Sequence, residues 1–249
     1  MPPPSSPLVA LYVTCLVNSL RPSVGFACVT LLEQAGFKVE VPPDQTCCGQ
    51  PGYNNGLRQE AQQIARLQIR VLEPYEWIVV PSGSCAGMIS VHYPRLLADD
   101  PAWAERARRV ADKTRELSAF LVEQGVTIAP AAQPEPPSAH HTSCSCRRET
   151  RSHTQADSLL QGCLGQQLKP LKEAEVCCGF GGTFSAKFDA LSARMGHQKL
   201  DDIEASGATR VISADLGCLL HLQGLALRQN RPLQFQHLAE LLAEGKPPL

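Results

Sequence analysis

The chain carries one short motif twice, as Thr-Cys-Cys-Gly-Gln-Pro-Gly at residues 46–52 and as Val-Cys-Cys-Gly-Phe-Gly-Gly at residues 176–182. A single cysteine precedes each motif and another follows it, Cys15 and Cys85 in the first half and Cys144 and Cys218 in the second. Corresponding thiols are 129, 130 and 133 residues apart. A repeat of this size indicates a duplicated structural unit.

Each unit therefore presents four thiols, and we expect both sets to bind a metal group. The chain has 11 cysteines, an odd number that cannot pair off completely as disulfides. Four thiolates match the ligation of an iron–sulfur cluster, and two [4Fe–4S] clusters are the simplest expectation. The predicted ligands are Cys15, Cys47, Cys48 and Cys85 in the first unit and Cys144, Cys177, Cys178 and Cys218 in the second.

Two adjacent cysteines cannot both point to the same face of a regular strand. The Cys-Cys pairs are therefore predicted to lie in turns, and the glycine that follows each pair supplies the permissive backbone that the turn needs.

Outside the motifs, short apolar runs alternate with segments of helical periodicity. In the first half we predict strands at residues 8–14, 38–41 and 77–80 and helices at 22–35, 57–72 and 102–124. In the second half we predict a weak strand at 139–143, a strand at 210–213, and helices near 155–161, 188–205, 218–227 and 233–243. The order predicts an α/β fold of two repeated units, each a small parallel sheet flanked by helices, related by internal pseudo-symmetry. Cys15, Cys85 and Cys218 follow strands, at the edge where such sheets place their sites.

A segment rich in proline and alanine, residues 127–138, divides the chain into near-equal halves. Its prolines prevent a helix or a central strand from running through it. The predicted organisation is a first cysteine-rich domain at 1–126, a linker at 127–138 and a second cysteine-rich domain at 139–249.

Charge and hydropathy exclude two broad classes of function. With 23 basic and 24 acidic side chains the net charge is −1, whereas nucleic-acid-binding domains usually carry a marked basic excess. The longest apolar stretch, residues 8–17, is well short of the roughly 20 residues that span a bilayer. It also lacks the flanks of a secretion signal, so we expect a cytoplasmic protein without a transmembrane segment.

The repeated motifs resemble those of the CCG-type cysteine-rich domain family. That family includes the duplicated cysteine-rich component of heterodisulfide reductase, the iron–sulfur subunits of glycolate oxidase and anaerobic glycerol-3-phosphate dehydrogenase, and the lactate-utilisation protein A group. Similarity is greatest to the last group, and it covers essentially the whole chain. It rests on Tyr12-Val-Thr-Cys15-Leu-Val, Gln45-Thr-Cys-Cys-Gly-Gln-Pro51, Pro81-Ser-Gly-Ser-Cys85, Cys177-Cys-Gly-Phe-Gly-Gly-Thr-Phe-Ser185 and Asp215-Leu-Gly-Cys-Leu-Leu220.

This resemblance implies an electron-transfer subunit of a complex that oxidises L-lactate to pyruvate. The implied partners are a second iron–sulfur subunit and a third small subunit. The chain itself would be a non-catalytic or co-catalytic subunit, and the sequence identifies no catalytic residue. In the heterodisulfide reductase branch two further cysteines stand where this chain has Ser82 and Asp215, so ordinary four-thiolate sites are the simpler expectation here.

Other interpretations of the same cysteines stay open. A glycolate oxidase-type or heterodisulfide reductase-type subunit shares the pattern, and four thiolates could also hold structural zinc in an interaction module. We expect Cys28 to be a packing residue and Cys163 to be a packing or a surface residue, whereas Cys146 lies close enough to Cys144 to reach its metal group. His140 and His141 could donate to that group, but we favour their being a polar entry to the turn.

Overall fold

A computed structural model describes residues 7–128 and 135–244 of the chain. It contains two four-stranded sheets in which every paired strand is parallel to its neighbour. The first sheet has the strand order β2-β1-β3-β4, and the second has the same order, β6-β5-β7-β8. The predicted α/β fold of two repeated units is confirmed.

The first unit runs from β1 to α8. Its strands are β1 Leu8–Leu11, β2 Lys38–Glu40, β3 Trp77–Val80 and β4 Thr114–Glu116. Its helices are α1 Cys15–Leu20, α2 Ser23–Gln34, α3 Gln50–Asn54, α4 Arg58–Leu72, α5 Gly83–Gly87, α6 Tyr93–Leu96, α7 Ala104–Asp112 and α8 Leu117–Glu123, with a π-helical turn at Met88–His92.

The second unit repeats this arrangement. Its strands are β5 Ser138–His140, β6 Leu168–Lys169, β7 Arg210–Ser213 and β8 Gln234–His237. Its helices are α9 Cys144–Arg148, α10 His153–Leu164, α11 Thr183–Lys187, α12 Asp189–Ala205, α13 Leu216–Arg228 and α14 Leu238–Ala243, with a 3₁₀ turn at Gly165–Gln167.

The prediction of one continuous helix over residues 102–124 was wrong, and so was the prediction of a helix over 233–243. The first stretch is two helices, α7 and α8, separated by the edge strand β4, and the second begins with the edge strand β8. A helix follows each of these strands without a loop. Glu116 ends β4 and its carboxylate caps α8, while His237 ends β8 and its imidazole caps α14. The strand residues are largely polar because only one side of an edge strand is paired, so the apolar signal of a strand is missing.

The two units pack through equivalent helices. Helix α2 of the first unit lies against α14 of the second, and α8 lies against α10. Arg21 forms an ion pair with Glu240 at 2.8 Å beside the first of these contacts. One apolar core runs across the boundary and includes residues such as Val9 and Ala139. The carboxyl ends of the two sheets are thereby brought together.

The predicted linker falls partly outside the described residues, which exclude 129–134. Residues 127–128 and 135–137 form neither helix nor strand, and Ser138 already begins β5. The division into domains at 126 and 139 therefore stays a prediction. Among the helices of the two described ranges, none has both the length and the apolar character needed to cross a bilayer.

Candidate metal centre

The four thiols of the first unit lie at the carboxyl end of its sheet. Cys15 is the first residue of α1, and the Thr14 hydroxyl caps that helix by accepting from Val17 N at 3.4 Å. Cys85 lies in the first turn of α5, where its own N–H donates to Ser82 Oγ at 3.4 Å. The amino-terminal turn of each helix stabilises negative charge on a nearby sulfur.

The Cys47–Cys48 pair lies in a turn, as the sequence predicts. Gly49 has a φ of +84°, and its N–H donates to Cys47 Sγ at 3.5 Å. The Tyr93 hydroxyl donates to Cys48 O at 2.8 Å. Thr46, the residue before the pair, is also fixed, because the buried amide of Gln68 donates to its Oγ1 at 2.8 Å. Both ends of the turn are therefore anchored to the core of the unit.

The second unit places its thiols in the same way. Cys144 is the first residue of α9, and Cys218 lies in the first turn of α13. Gly179 has a φ of +90°, and its N–H donates to Cys177 Sγ at 3.3 Å. Its carbonyl accepts from the Ser192 hydroxyl at 2.8 Å. A backbone N–H directed at the sulfur is thus present in both units.

The thiols of each group bond to one another, and one sulfur in each group accepts from two of its neighbours. In the first unit the pKa of Cys47 is lowered because the thiols of Cys15 and Cys48 and the N–H of Gly49 donate to it. Donating to Cys47 raises the pKa of Cys15 and of Cys48.

The second unit repeats this pattern of hydrogen bonds between thiols. The pKa of Cys177 is lowered by donation from the Cys144 and Cys178 thiols. The same contacts raise the pKa of Cys144 and of Cys178. A metal that binds the sulfurs as thiolates would displace the protons that these thiols share, so metal binding would release protons.

This donor set suits a metal group that prefers soft sulfur ligands. Each unit offers four thiols together with a backbone N–H directed at one sulfur, and Cys48 and Cys178 are each only 2% exposed. Iron–sulfur clusters and zinc are the groups that such thiolate sites bind. The geometry is consistent with metal or iron–sulfur binding in both units.

Both groups line one cavity of about 270 Å³ between the two sheets. All eight predicted ligands border it, namely Cys15, Cys47, Cys48, Cys85, Cys144, Cys177, Cys178 and Cys218. The cavity also contacts His141, Ser143 and Asp215 from the second unit and Ser82 and Ser84 from the first. The two metal groups would therefore face each other rather than lie at opposite ends of the chain.

Asp215 joins the two units at the floor of this cavity. Its Oδ1 accepts from Ser82 Oγ at 2.6 Å and from Ser84 Oγ at 2.8 Å, both in the first unit. Its Oδ2 accepts from the Ser143 hydroxyl and, at 3.6 Å, from the Cys146 thiol. Asp215 is only 3% exposed, so the carboxylate depends on these donors for solvation.

From the sequence, Ser82 and Asp215 were recognised only as departures from another branch, and their contact was not predicted. A signal was available, because the two positions are 133 residues apart, the same offset as Cys85 and Cys218. They are thus equivalent positions of the repeat, each three residues before a ligand. Because the two units face each other about a pseudo-symmetry axis, the equivalent residues Ser82 and Asp215 meet at the interface.

The remaining cysteines lie outside the two thiol groups. Cys28 is buried in the core on α2, and Cys163 is buried on α10, as expected for packing residues. Cys146 is buried on α9 and bonds to Asp215, so it serves the contact between units. Cys146 does not border the cavity that the eight thiols share, so its predicted reach to the metal group of Cys144 is not seen.

The two adjacent histidines have different environments. His140 Nδ1 lies 2.6 Å from Asp157 Oδ1, away from the thiols. His141 borders the cavity, and at 1% exposure it is not a solvated entry to the turn. Burial lowers the pKa of His141 to about 3, so its imidazole is neutral. The interpretation of His141 as a polar entry was therefore wrong.

Comparison with known proteins agrees with this geometry. The cysteine-rich domain named CCG matches residues 9–90 and 138–223, one match in each unit. The chain belongs to the CCG cysteine-rich domain family. Both matches of the CCG family include a Cys-Cys-Gly turn and the single cysteines on either side of it.

Within the CCG family, the chain is similar to proteins named lactate utilization protein A. It is 42% identical over 234 residues to the one from Bacillus pumilus, covering 94% of this chain and 98% of the relative. It is 43% identical over 241 residues to the one from an Exiguobacterium species, covering 96% and 98%. The recognition of this group from the motifs is confirmed.

A solved structure supports the fold alone. The crystal structure of a hypothetical protein from Helicobacter pylori superposes with a TM-score of 0.66 at 14% identity. The match covers 98% of this chain and 51% of that one, so this chain spans about half the length of the solved protein.

Proposed function

We propose that this chain is an iron–sulfur electron-transfer subunit of a cytoplasmic oxidoreductase complex that oxidises L-lactate to pyruvate. The two groups of four thiols would each hold a [4Fe–4S] cluster. Iron–sulfur clusters supply one-electron transfer. The proposed partners are a second iron–sulfur subunit and a third small subunit, which would deliver and accept the electrons.

The observation that carries the proposal is the single cavity bordered by both thiol groups. An electron carrier benefits from having its two sites close together in one rigid frame. Asp215 keeps that frame closed by bonding to Ser82 and Ser84 of the other unit. The N–H groups of Gly49 and Gly179 donate to the ligand sulfurs, and such hydrogen bonds are among the features that set reduction potential.

The cavity itself is poorly suited to bind lactate. The described residues that border it include no arginine or lysine. A carboxylate substrate is usually bound by such a cation, in a charge-assisted pair. The substrate would therefore be oxidised on a partner subunit, with this chain receiving the electrons. The assignment to lactate follows the names of the relatives in the CCG family.

The proposal is tested by lactate-dependent reduction of a dye by the assembled complex. Cys47→Ser and Cys178→Ser each remove one sulfur ligand, and we expect either change to abolish most of the activity. Cys28→Ala is the matched control, because that thiol is buried in α2 outside both groups. Full activity in both ligand variants would refute the proposal, and an equal loss in the control would show that instability, and not the loss of a ligand, lowers the activity.

A further inference from the structure

The two thiol groups differ in the side chain at one equivalent position. His141 and Tyr12 are equivalent residues, each three positions before the first cysteine of its unit. Their backbones are also equivalent, because Tyr12 N donates to Val79 O at 2.9 Å and His141 N donates to Ile212 O at 2.8 Å. Both side chains are almost fully buried. Any difference between the two sites therefore arises from the side chains themselves.

Tyr12 has a partner within its own unit. Its hydroxyl donates to Thr46 O at 2.5 Å, just before the Cys-Cys turn. The phenol thus supports the turn through the backbone, and its only polar atom is satisfied. The first group offers a metal nothing but its four sulfurs from these elements.

His141 has no such partner. Neither Nδ1 nor Nε2 forms a hydrogen bond with any described residue. A buried imidazole without partners is costly, because the ring has lost its hydration and gained nothing in return. A ring nitrogen of His141, Cys178 Sγ and Cys218 Sγ all lie within 4.8 Å of one another. The unpartnered side chain is therefore directed at the ligands of the second group.

We propose that His141 is a nitrogen ligand of the metal group in the second unit. The first site would then be held by four thiolates, whereas at the second the neutral imidazole of His141 would take the place of one of the four thiolates. Imidazole binds beside thiolate at many zinc centres and replaces thiolate at Rieske iron–sulfur centres. The identification of the metal group as an iron–sulfur cluster rests on the proposed function, whereas the ligand role of His141 rests on its position.

A difference in ligands has a consequence for electron transfer. Replacement of anionic thiolate by neutral imidazole raises the reduction potential of an iron–sulfur centre. The second site would therefore have the higher potential, and electrons that enter at the first site would move towards the second.

The nearest competing side chain is His221. Its Nε2 lies 3.4 Å from Ser192 Oγ, the hydroxyl that donates to Gly179 O, and its ring packs against Phe180. His221 does not border the cavity, and one of its nitrogens already has a partner. His140 is engaged by Asp157. These two residues are the matched controls for His141.

The test is pulsed EPR spectroscopy of the anaerobically purified, reduced protein, with histidine labelled with ¹⁵N. We expect a strong nitrogen coupling that changes with the label, as directly bound imidazole gives and backbone N–H groups do not. His141→Ala should remove this coupling, while His140→Ala and His221→Ala should retain it. His141→Cys should keep the metal, lose the coupling and lower the potential of one of the two sites.

A wild-type spectrum without a strong histidine coupling would overturn the assignment, whether or not the variants fold. Retention of that coupling in His141→Ala would do the same. If the metal is zinc, the proposed function fails, and X-ray absorption at zinc decides the assignment separately. Nitrogen in the zinc shell that is lost in His141→Ala would support it, and a shell of sulfur alone would overturn it.

Discussion

At the scale of single residues, Asp215 joins the two units through hydrogen bonds to both. One buried carboxylate accepts from the hydroxyls of Ser82 and Ser84 in one unit and Ser143 in the other. Hydrogen bonds to a buried charge are stronger than those between neutral groups, and the loss of one partner leaves the others unsatisfied. Asp215 therefore stabilises the interface and also holds the residues of both units that border the cavity.

Asp215→Asn should destabilise the chain, because one carboxylate oxygen becomes an NH₂ group that faces hydroxyl and thiol donors. We expect a loss of about 2–4 kcal/mol in the free energy of unfolding, measured by denaturant titration. Asp99→Asn is the matched control, since the Asp99 side chain is 95% exposed, and its effect should stay within about 0.5 kcal/mol. Equal effects of the two substitutions would contradict the role given to Asp215.

Glu116 should make stability depend on pH. Burial raises the pKa of this carboxyl from 4.5 to about 7. The folded state therefore binds more protons than the unfolded state between these values, and stability falls as pH rises through that window. Glu116→Gln removes the titrating group but keeps an oxygen that can cap α8.

The measurement is the free energy of unfolding of both proteins at several pH values. From about pH 5 to about pH 8, the wild type should lose about 2 kcal/mol relative to the Gln variant. The metal groups are common to both proteins, so their own pH dependence largely cancels in the difference. A difference that is constant with pH, or that grows in favour of the wild type, would refute this prediction.

The residues of the candidate site could be predicted from the sequence more fully than its polar contacts. The eight cysteines follow from the repeat, and the structure places each group of four together. The contact of Asp215 with Ser82 depends on how the units face each other, which no local pattern records. The burial of His141 was also missed, because a histidine before a turn is usually solvated and no local pattern records what packs over it.

At the scale of elements, the Cys-Cys-Gly turns depend on close approach as well as on backbone freedom. A Cβ on Gly179 would lie 2.4 Å from Ser192 O, the backbone oxygen of a residue on α12. Gly207 has a similar φ of +80°, but no atom lies within 4 Å of where its Cβ would be. Substitution of Gly207 would therefore cost only the strain of a positive φ, whereas substitution of Gly179 would add a steric clash.

Gly179→Ala should be more damaging than Gly207→Ala. The second substitution should cost about 1 kcal/mol, because alanine is disfavoured in the left-handed region. The first should cost clearly more and should also lower the metal content, because the turn that carries Cys177 and Cys178 must move. Denaturant titration and metal analysis of both variants test this, and equal losses without a change in metal content would contradict it.

Strands β4 and β8, which were predicted as parts of helices, share one physical property. Strands β1, β3 and β7 lie at the centre of their sheets and contain buried apolar residues, and each was predicted as a strand from the sequence. Strands β4 and β8 lie at sheet edges, contain Glu116 and His237, and pass directly into helices. Their conformation comes from pairing with a neighbour distant in the chain, which local periodicity does not express.

At the scale of the whole molecule, duplication turns two modest sheets into one site. Each unit alone would leave its thiols at an open sheet edge. Packing of α2 on α14 and of α8 on α10 brings the two edges together around one cavity. The repeat in the sequence indicates two units, but their mutual orientation is a result of the shared core and the Asp215 contacts.

Metal analysis of the anaerobically purified chain is the most direct test of two iron–sulfur sites. Iron, acid-labile sulfide and zinc should be measured per chain, with the absorption spectrum recorded on the same sample. We expect about eight iron and about eight sulfide, with the brown colour of [4Fe–4S] clusters. Stoichiometric zinc without sulfide would show that the thiols are structural, and it would contradict the assignment of this chain to electron transfer.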